Sequence, residues 1–266
     1  MKTVILFRKE NCYAQEYNIA SEYFEGYESR ILCGGSRVIA RNSVEPEYKE
    51  LIRDLKYNSC HLINTYAQHN WVTSFDWYYS FRDKYTPESW LDHEFPMSLY
   101  KGPFVVKGKL TSKKFYWDTL MFAASRKEAS LLAEKLNPFP DIGKEGIIFR
   151  KYVVLRIFEI GLNQMPITND WRFFFYKDKL LTFGYYWANS QHEYHEGEMT
   201  EEGVEFAKKC AKIASADCTF FALDIAEKAE GGWILIDVND AQTCDLNGCD
   251  PNVFYSELKN AIEEEK

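Results

Sequence analysis

The chain has 266 residues, 46% of them hydrophobic and 27% charged, an ordinary soluble globular balance that suits one large or two modest domains. The formal charge of -8 disfavours bulk nucleic-acid binding, because a negative surface repels phosphate backbones. Seven cysteines, an odd number with no C-x-x-C pair, speak against a disulfide framework and read as reduced thiols of a cytoplasmic protein.

The first apolar run, TVILF (3–7), predicts a buried strand; five residues are too few for a signal-peptide core, and no run in the chain approaches a membrane span. Residues 11–27 have helical spacing, 36–43 form a second short strand, and 46–58 form a helix with Pro46 near its start. Residues 60–66 fit a strand or a turn, and 69–85 predict one helix, followed by the punctuation TPES and FPMS. Residues 1–100 therefore read as a small α/β domain.

A change comes near Pro103. Residues 102–125 predict two strands around a short loop, and 126–138 a helix. Strands follow at 145–158 and 171–187, then a helix at 201–215, a strand pair at 219–240 and a closing helix at 252–266. Hairpin turns fall at YKDK and EKAEGG. Residues 101–266 thus form a mixed α+β domain. The 18 Tyr and 19 Phe mostly fill its core, and a cleft lining is the other use of such side chains.

Chemistry concentrates on a few strands. In GGWILIDVND, strict alternation puts Asp237 and Asn239 on one face. Paired antiparallel with TFFALDIA, it sets Asp224 opposite Leu235 and diagonal to Asp237, so that Asp224, Asp237 and Asn239 converge. Convergent carboxylates repel unless a cation lies between them, and an all-oxygen set without His or Cys suits Mg²⁺. A solvated strand end is the plainer use of the same residues. Cations stand elsewhere: Lys107 ends the strand PFVVKGK, on the face opposite Phe104 and Val106, and Lys113 and Lys114 follow in SKKFYW. Arg172 interrupts the aromatic run WRFFFY and needs a partner, for which Asp170, Asp178 or a phosphate is available. The cysteines of CDLNGC lack the second pair that a metal site requires.

The order of these motifs resembles the ATP-grasp fold, in which two α+β subdomains close on ATP, preceded here by the small α/β domain. More narrowly, it is similar to the divergent clade named for one arginine and two lysines, which includes the eukaryotic cell-division-cycle translation-factor assembly protein and bacterial and phage families. The resemblance covers residues from about 100 to 256. It implies Lys107 as the first lysine, Lys113 as the second with Lys114 the alternative, and Arg172, in DWRFFF, as the arginine. It implies that GIIFRKYV is the adenine-contacting hinge strand, with Phe149, Arg150, Lys151, Tyr152 and Val153 along the nucleotide. Asp224, Asp237 and Asn239 become the Mg²⁺ ligands, with Asp237 where many ATP-grasp proteins have Glu.

The activity that the resemblance implies is ATP-dependent ligation of a carboxylate to an amine or similar nucleophile through an acyl phosphate. Arg172 and Lys113 act on the transferring phosphoryl, and the clade points towards peptide or protein modification. His192 and His195, in the segment after the arginine strand, are candidates for a base or a metal ligand. The alternative activity is that of an assembly factor that grips a protein partner with ATP and Mg²⁺ and ligates nothing.

Overall fold

The computed structural model describes residues 1–7, 14–29, 34–41, 48–188 and 197–265. The first unit is a parallel sheet with strand order β2-β1-β3-β4, interleaved with helices. In chain order it comprises β1 (Thr3–Phe7), α1 (Ala14–Tyr23), β2 (Glu25–Tyr27), β3 (Arg37–Arg41), α2 (Tyr48–Tyr57) and β4 (His61–Leu62). Both faces of β1 are covered, which is why TVILF is apolar at nearly every position. Val4 and Leu6 pack under α2, while Ile5 and Phe7 pack towards the C-terminal half of the chain.

The expected helix over 69–85 is two helices, α3 (Tyr66–Thr73) and α4 (Trp77–Phe81). Thr65 caps α3 in a capping box with Gln68. The break lies at Phe75, whose φ of 73° is left-handed and cannot continue a helix. Helical periodicity runs through the break because both helices pack on the same core, α3 through Val72 and α4 through Trp77, Tyr78 and Phe81.

An antiparallel sheet of order β5-β8-β6-β7 comes next, with β5 (Ser89–Leu91), β6 (Phe104–Gly108), β7 (Phe122–Ala123), α5 (Arg126–Leu136), α6 (Pro140–Gly143) and β8 (Ile147–Lys151). The strand β5 lies before residue 100 yet pairs with β8. The two strands expected over 102–125 are unequal. After β6 the chain makes a 3₁₀ turn at Lys114–Tyr116 and a π-helical turn at Trp117–Met121, and β7 is only two residues long. One face of this sheet packs on α5 through Phe104, Val106, Ile147 and Phe149.

A short hairpin, β9 (Ile157–Ile160) with β10 (Pro166–Thr168), leads into the third sheet, order β12-β11-β13-β14, antiparallel throughout. Its elements are β11 (Asp170–Tyr176), β12 (Lys179–Tyr185), α7 (Glu201–Ala214), β13 (Phe220–Glu227), β14 (Trp233–Asp240) and, after it, α8 (Pro251–Glu263). Phe173, Phe175, Phe221 and Leu223 pack on α4 and α7, whereas Phe174, Tyr176, Phe220 and Ala222 pack on the first sheet and α8. The aromatic run of β11 is therefore a strand buried on both faces. Among the described residues, no helix is long and apolar enough to cross a membrane.

Candidate functional site

Period-two alternation on the third sheet continues the Phe174 face to Arg172 on β11 and the Ala222 face to Asp224 on β13. The register places Arg172 opposite Asp224, and Asp224 opposite Asp237 on β14. The expected pairing of Asp224 with Leu235 is thus corrected. The register shifts between Asp224 and Ile225, so that Ile225 faces Leu235 and Ile236 is the extra residue of a β-bulge. Strict alternation would have put Asp237 and Asn239 on the face of Trp233 and Leu235. The bulge instead turns Val238 inward with those two apolar residues, and Asp237 and Asn239 out to the Asp224 face.

Arg172 does not pair with Asp170 or Asp178. Its Nε and Nη2 donate to the two carboxylate oxygens of Asp224, both at 2.7 Å, and its Nη1 donates to the Asp245 carbonyl at 2.8 Å. That carbonyl comes close because Gly184, opposite Arg172 on β12, and Gly248 pack backbone to backbone; a Cβ on either would collide with the neighbouring main chain. CDLNGC is thus the loop that supports Arg172. Cys244 and Cys249 are free thiols, and burial raises the pKa of both. Burial alone would ease the proton off Arg172, but Asp224 more than offsets this and holds the guanidinium charged. Asn239 Nδ2 donates to Asp224 at 3.0 Å.

The second sheet faces this row across a cavity of about 280 Å³. Lys107, on β6 and buried, donates from Nζ to Asp237 Oδ2 at 2.5 Å. Burial pulls its proton affinity down, and Asp237 partly restores it. Arg150, on β8, donates from Nη1 to the Ile236 carbonyl at 2.6 Å and from Nε to Ser89 Oγ at 3.1 Å. The bulge thus exposes a carbonyl that the opposite sheet engages. Lys114, in the 3₁₀ turn, donates to the Tyr186 phenol and lies 4.1 Å from the Tyr186 ring centre and 5.1 Å from that of Trp187. Its affinity for protons is lowered, first by burial.

Lys113, the favoured second lysine, is not at the cavity: its Nζ pairs with Asp141 at 2.8 Å on the surface and lies over Phe139. Adjacent residues leave a turn in different directions, and only Lys114 points inward. Phe149 is also outside the cavity, stacked on Phe95 with ring centres 3.7 Å apart in the core beneath α5. Arg150, Lys151, Tyr152 and Val153 line the cavity with Val105, Trp117, Met121, Leu155, Ile157 and Met165. These apolar side chains give the cavity an apolar slot beside the charged row. His192 and His195 lie outside the described residues.

Two cavity groups escaped the sequence reading in this role. Asp170 accepts from Thr168 Oγ1 at 2.9 Å, and burial raises its pKa to about 7, against the lowering effect of Thr168 and Lys114. Tyr186 stacks its ring on Lys114 and on Arg172. The period-two spacing Asp170-x-Arg172 was the available signal for the first. In total, five basic side chains (Lys107, Lys114, Arg150, Lys151, Arg172) meet three acidic ones (Asp170, Asp224, Asp237). A positive cavity inside a chain of charge -8 is a place for an anion.

The motif set and geometry converge with a match of residues 94–258 to the family described as ATP-grasp domain, R2K clade family 3. The chain belongs to that family. No curated protein matches it in sequence. Among solved structures, D-cycloserine synthetase DcsG superposes with a TM-score of 0.60 at 12% identity, over 98% of this chain and 99% of that one. ATP-grasp ligase PsnB with a minimal precursor, solved also with Mg and ADP, gives 0.57 at 9% over the whole of both chains. Macrocyclase MdnC from Microcystis aeruginosa MRC, bound with precursor peptide MdnA, gives 0.56 at 8% over 99% of this chain and 100% of that one. At these identities the likeness establishes the ATP-grasp fold.

The donor set of this R2K-clade site suits a hard cation. Asp224, Asp237 and Asn239 offer carboxylate and amide oxygens from neighbouring positions on one sheet face, without sulfur or imidazole among them. Among the described residues, there is no group of three or more His, Cys, Asp or Glu that could hold a metal without further ligands. A cation held by these residues would need further ligands, such as water or phosphate oxygens.

Proposed function

We propose that this chain is an ATP-dependent ligase that joins a carboxylate to an amine, with a peptide or protein as the modified substrate. The observation that carries the reading is the cavity's excess of buried cations, supplied from both sheets, next to an all-oxygen row. The adenine lies in the apolar slot beside Lys151, Tyr152 and Val153, and the phosphates run towards Lys107, Lys114 and Arg172. Asp224, Asp237 and Asn239 would hold Mg²⁺, which neutralises phosphate charge when bound. Lys114 takes the place of the second lysine, because Lys113 is committed to Asp141 at the surface.

In the first step a carboxylate oxygen attacks the γ-phosphorus; the new O–P bond forms as the bond to the β-bridging oxygen breaks, and ADP leaves. Lys107 and Lys114 hold the phosphate oxygens, and Arg172, a planar fork fixed by Asp224 and Asp245, stabilises the charge on the transferring phosphoryl. In the second step the amine nitrogen attacks the acyl carbon; the C–N bond forms, phosphate leaves with the electron pair, and the nitrogen loses a proton. Closure of the two sheets keeps water from the acyl phosphate. The peptide as substrate is supported by the company of this fold, PsnB and MdnC with their precursors. The odd cysteine number with no C-x-x-C pair favours a cytoplasmic setting.

Calorimetry with Mg-ADP tests the site. Wild type should bind in a magnesium-dependent manner, and Asp237→Ala should lose that binding; equal binding by both refutes the assignment. Ligation predicts sustained ADP release over many turnovers of Mg-ATP only when both a carboxylate and an amine are supplied. Nucleotide binding without turnover under any such supply returns the chain to the assembly-factor reading.

A further inference from the structure

Resting on this nucleotide reading, we propose that Arg150 is a further phosphate-binding residue, its Nη2 face taking oxygens of the same phosphates that Lys107 serves. The hinge-strand resemblance assigns this stretch to adenine, through backbone and apolar side chains. The side chain of Arg150 points elsewhere. It leaves β8 on the face opposite Phe149, crosses to the third sheet, and ends beside Lys107, Asp237 and the Ile236 bulge.

Its donors are unevenly used. Nε and Nη1 are bonded to Ser89 and Ile236, which fix the plane of the guanidinium. Nη2 is buried and, among the described residues, makes no hydrogen bond; its nearest carboxylate oxygen, Asp237 Oδ1, is 3.8 Å away. The Phe75 and Trp77 rings, 5.9 Å from the guanidinium carbon, are at the edge of cation–π range and supply no oxygen or nitrogen acceptor. An unused buried donor on a charged group is costly, so its survival calls for a ligand that completes it.

The charge balance points to an anion. Asp237 alone stands between two buried cations, Lys107 and Arg150. A water could satisfy the orphan N–H but not the second positive charge. If Asp237 turns to a metal, both cations lose their counter-charge together, and only an anionic oxygen ligand restores it. A pre-oriented fork with one face open suits phosphate oxygens better than an ammonium does.

The test is calorimetry on the full chain with two probes, Mg-ADP and adenosine, for wild type, Arg150→Met and Arg150→Lys. Arg150→Met should weaken Mg-ADP by about ten- to a hundredfold, the range for a lost charge-assisted hydrogen bond, and leave adenosine within about twofold. Arg150→Lys should fall between, again with adenosine unchanged. A residue that merely props the bulge, and with it Asp237, would raise the magnesium concentration that ADP binding requires but leave ADP affinity at saturating magnesium unchanged; that result, or unchanged Mg-ADP affinity throughout, overturns the proposal. Thermal unfolding reports whether Arg150→Met folds; if it does not, the ratio of the two affinities in Arg150→Lys decides in the same way. A wild-type chain that ignores Mg-ADP refutes the nucleotide site as a whole, whereas wild-type binding with indifferent variants refutes Arg150 alone.

Discussion

The two sheets that face the cavity bury charge in different ways. The third sheet is covered on both faces, and its charges come matched: Arg172 and Asp224 form a bidentate pair with a third donor satisfied by Asp245. The second sheet is covered by α5 on one face only, and its charges are in surplus, with Lys107 and Arg150 sharing Asp237. A paired charge can be a permanent part of a core, since its partner offsets part of the desolvation whether or not a ligand is bound. A surplus charge survives burial only beside space for a ligand. The third sheet is thus the rigid wall, and the second is the wall completed by the nucleotide.

The contrast can be broken by mutation. Asp224→Ala should have the largest effect, leaving Arg172 buried without its partner at about 3–5 kcal/mol of stability, read by urea unfolding. Lys107→Met should cost less stability than that, because it removes a surplus charge, yet weaken Mg-ADP by about ten- to a hundredfold in calorimetry. If the two substitutions reverse in rank for stability, the distinction between the walls fails.

Lys114→Met should weaken Mg-ADP by about tenfold, as for one charge-assisted contact, whereas Lys113→Met should stay within about twofold, as expected for a surface pair. Asp170 sharpens the comparison through pH. Its carboxyl, raised to about 7 by burial, keeps a proton in the fold that the unfolded chain releases near 3.8. The native state therefore binds more protons between those values, and stability falls as pH rises through that window. Asp170→Asn lacks this loss. Urea unfolding should show its stability relative to wild type widening from pH 4 to pH 8, by at most about 4 kcal/mol.

Much of this site was legible one strand at a time. Alternation in PFVVKGK sets Lys107 against Phe104 and Val106, and the lone Arg172 among aromatics announces a buried partner. The all-oxygen row in WILIDVND was legible as a set, but the route that brings it together was not. Continued without a bulge, the pairing of Ile225 with Leu235 would set Asp224 opposite Ile236, and the one extra residue there brings Asp237 opposite it and changes the face. No residue type marks that bulge, because it is stabilised from outside, by Arg150 on the other sheet. The neighbours Lys113 and Lys114 were likewise indistinguishable, since their directions depend on a 3₁₀ turn placed between two sheets.

The amino-acid sequence by itself determined the elements and their covered faces, because helical and strand periodicity record which side chains must leave water. It also determined the order of the ATP-grasp motifs. Tertiary structure alone decided which charges meet: the register across β13 and β14, the inward lysine, and the reach of Arg150 over the cleft. Those depend on distances between segments far apart in the chain, and local spacing carries no record of them.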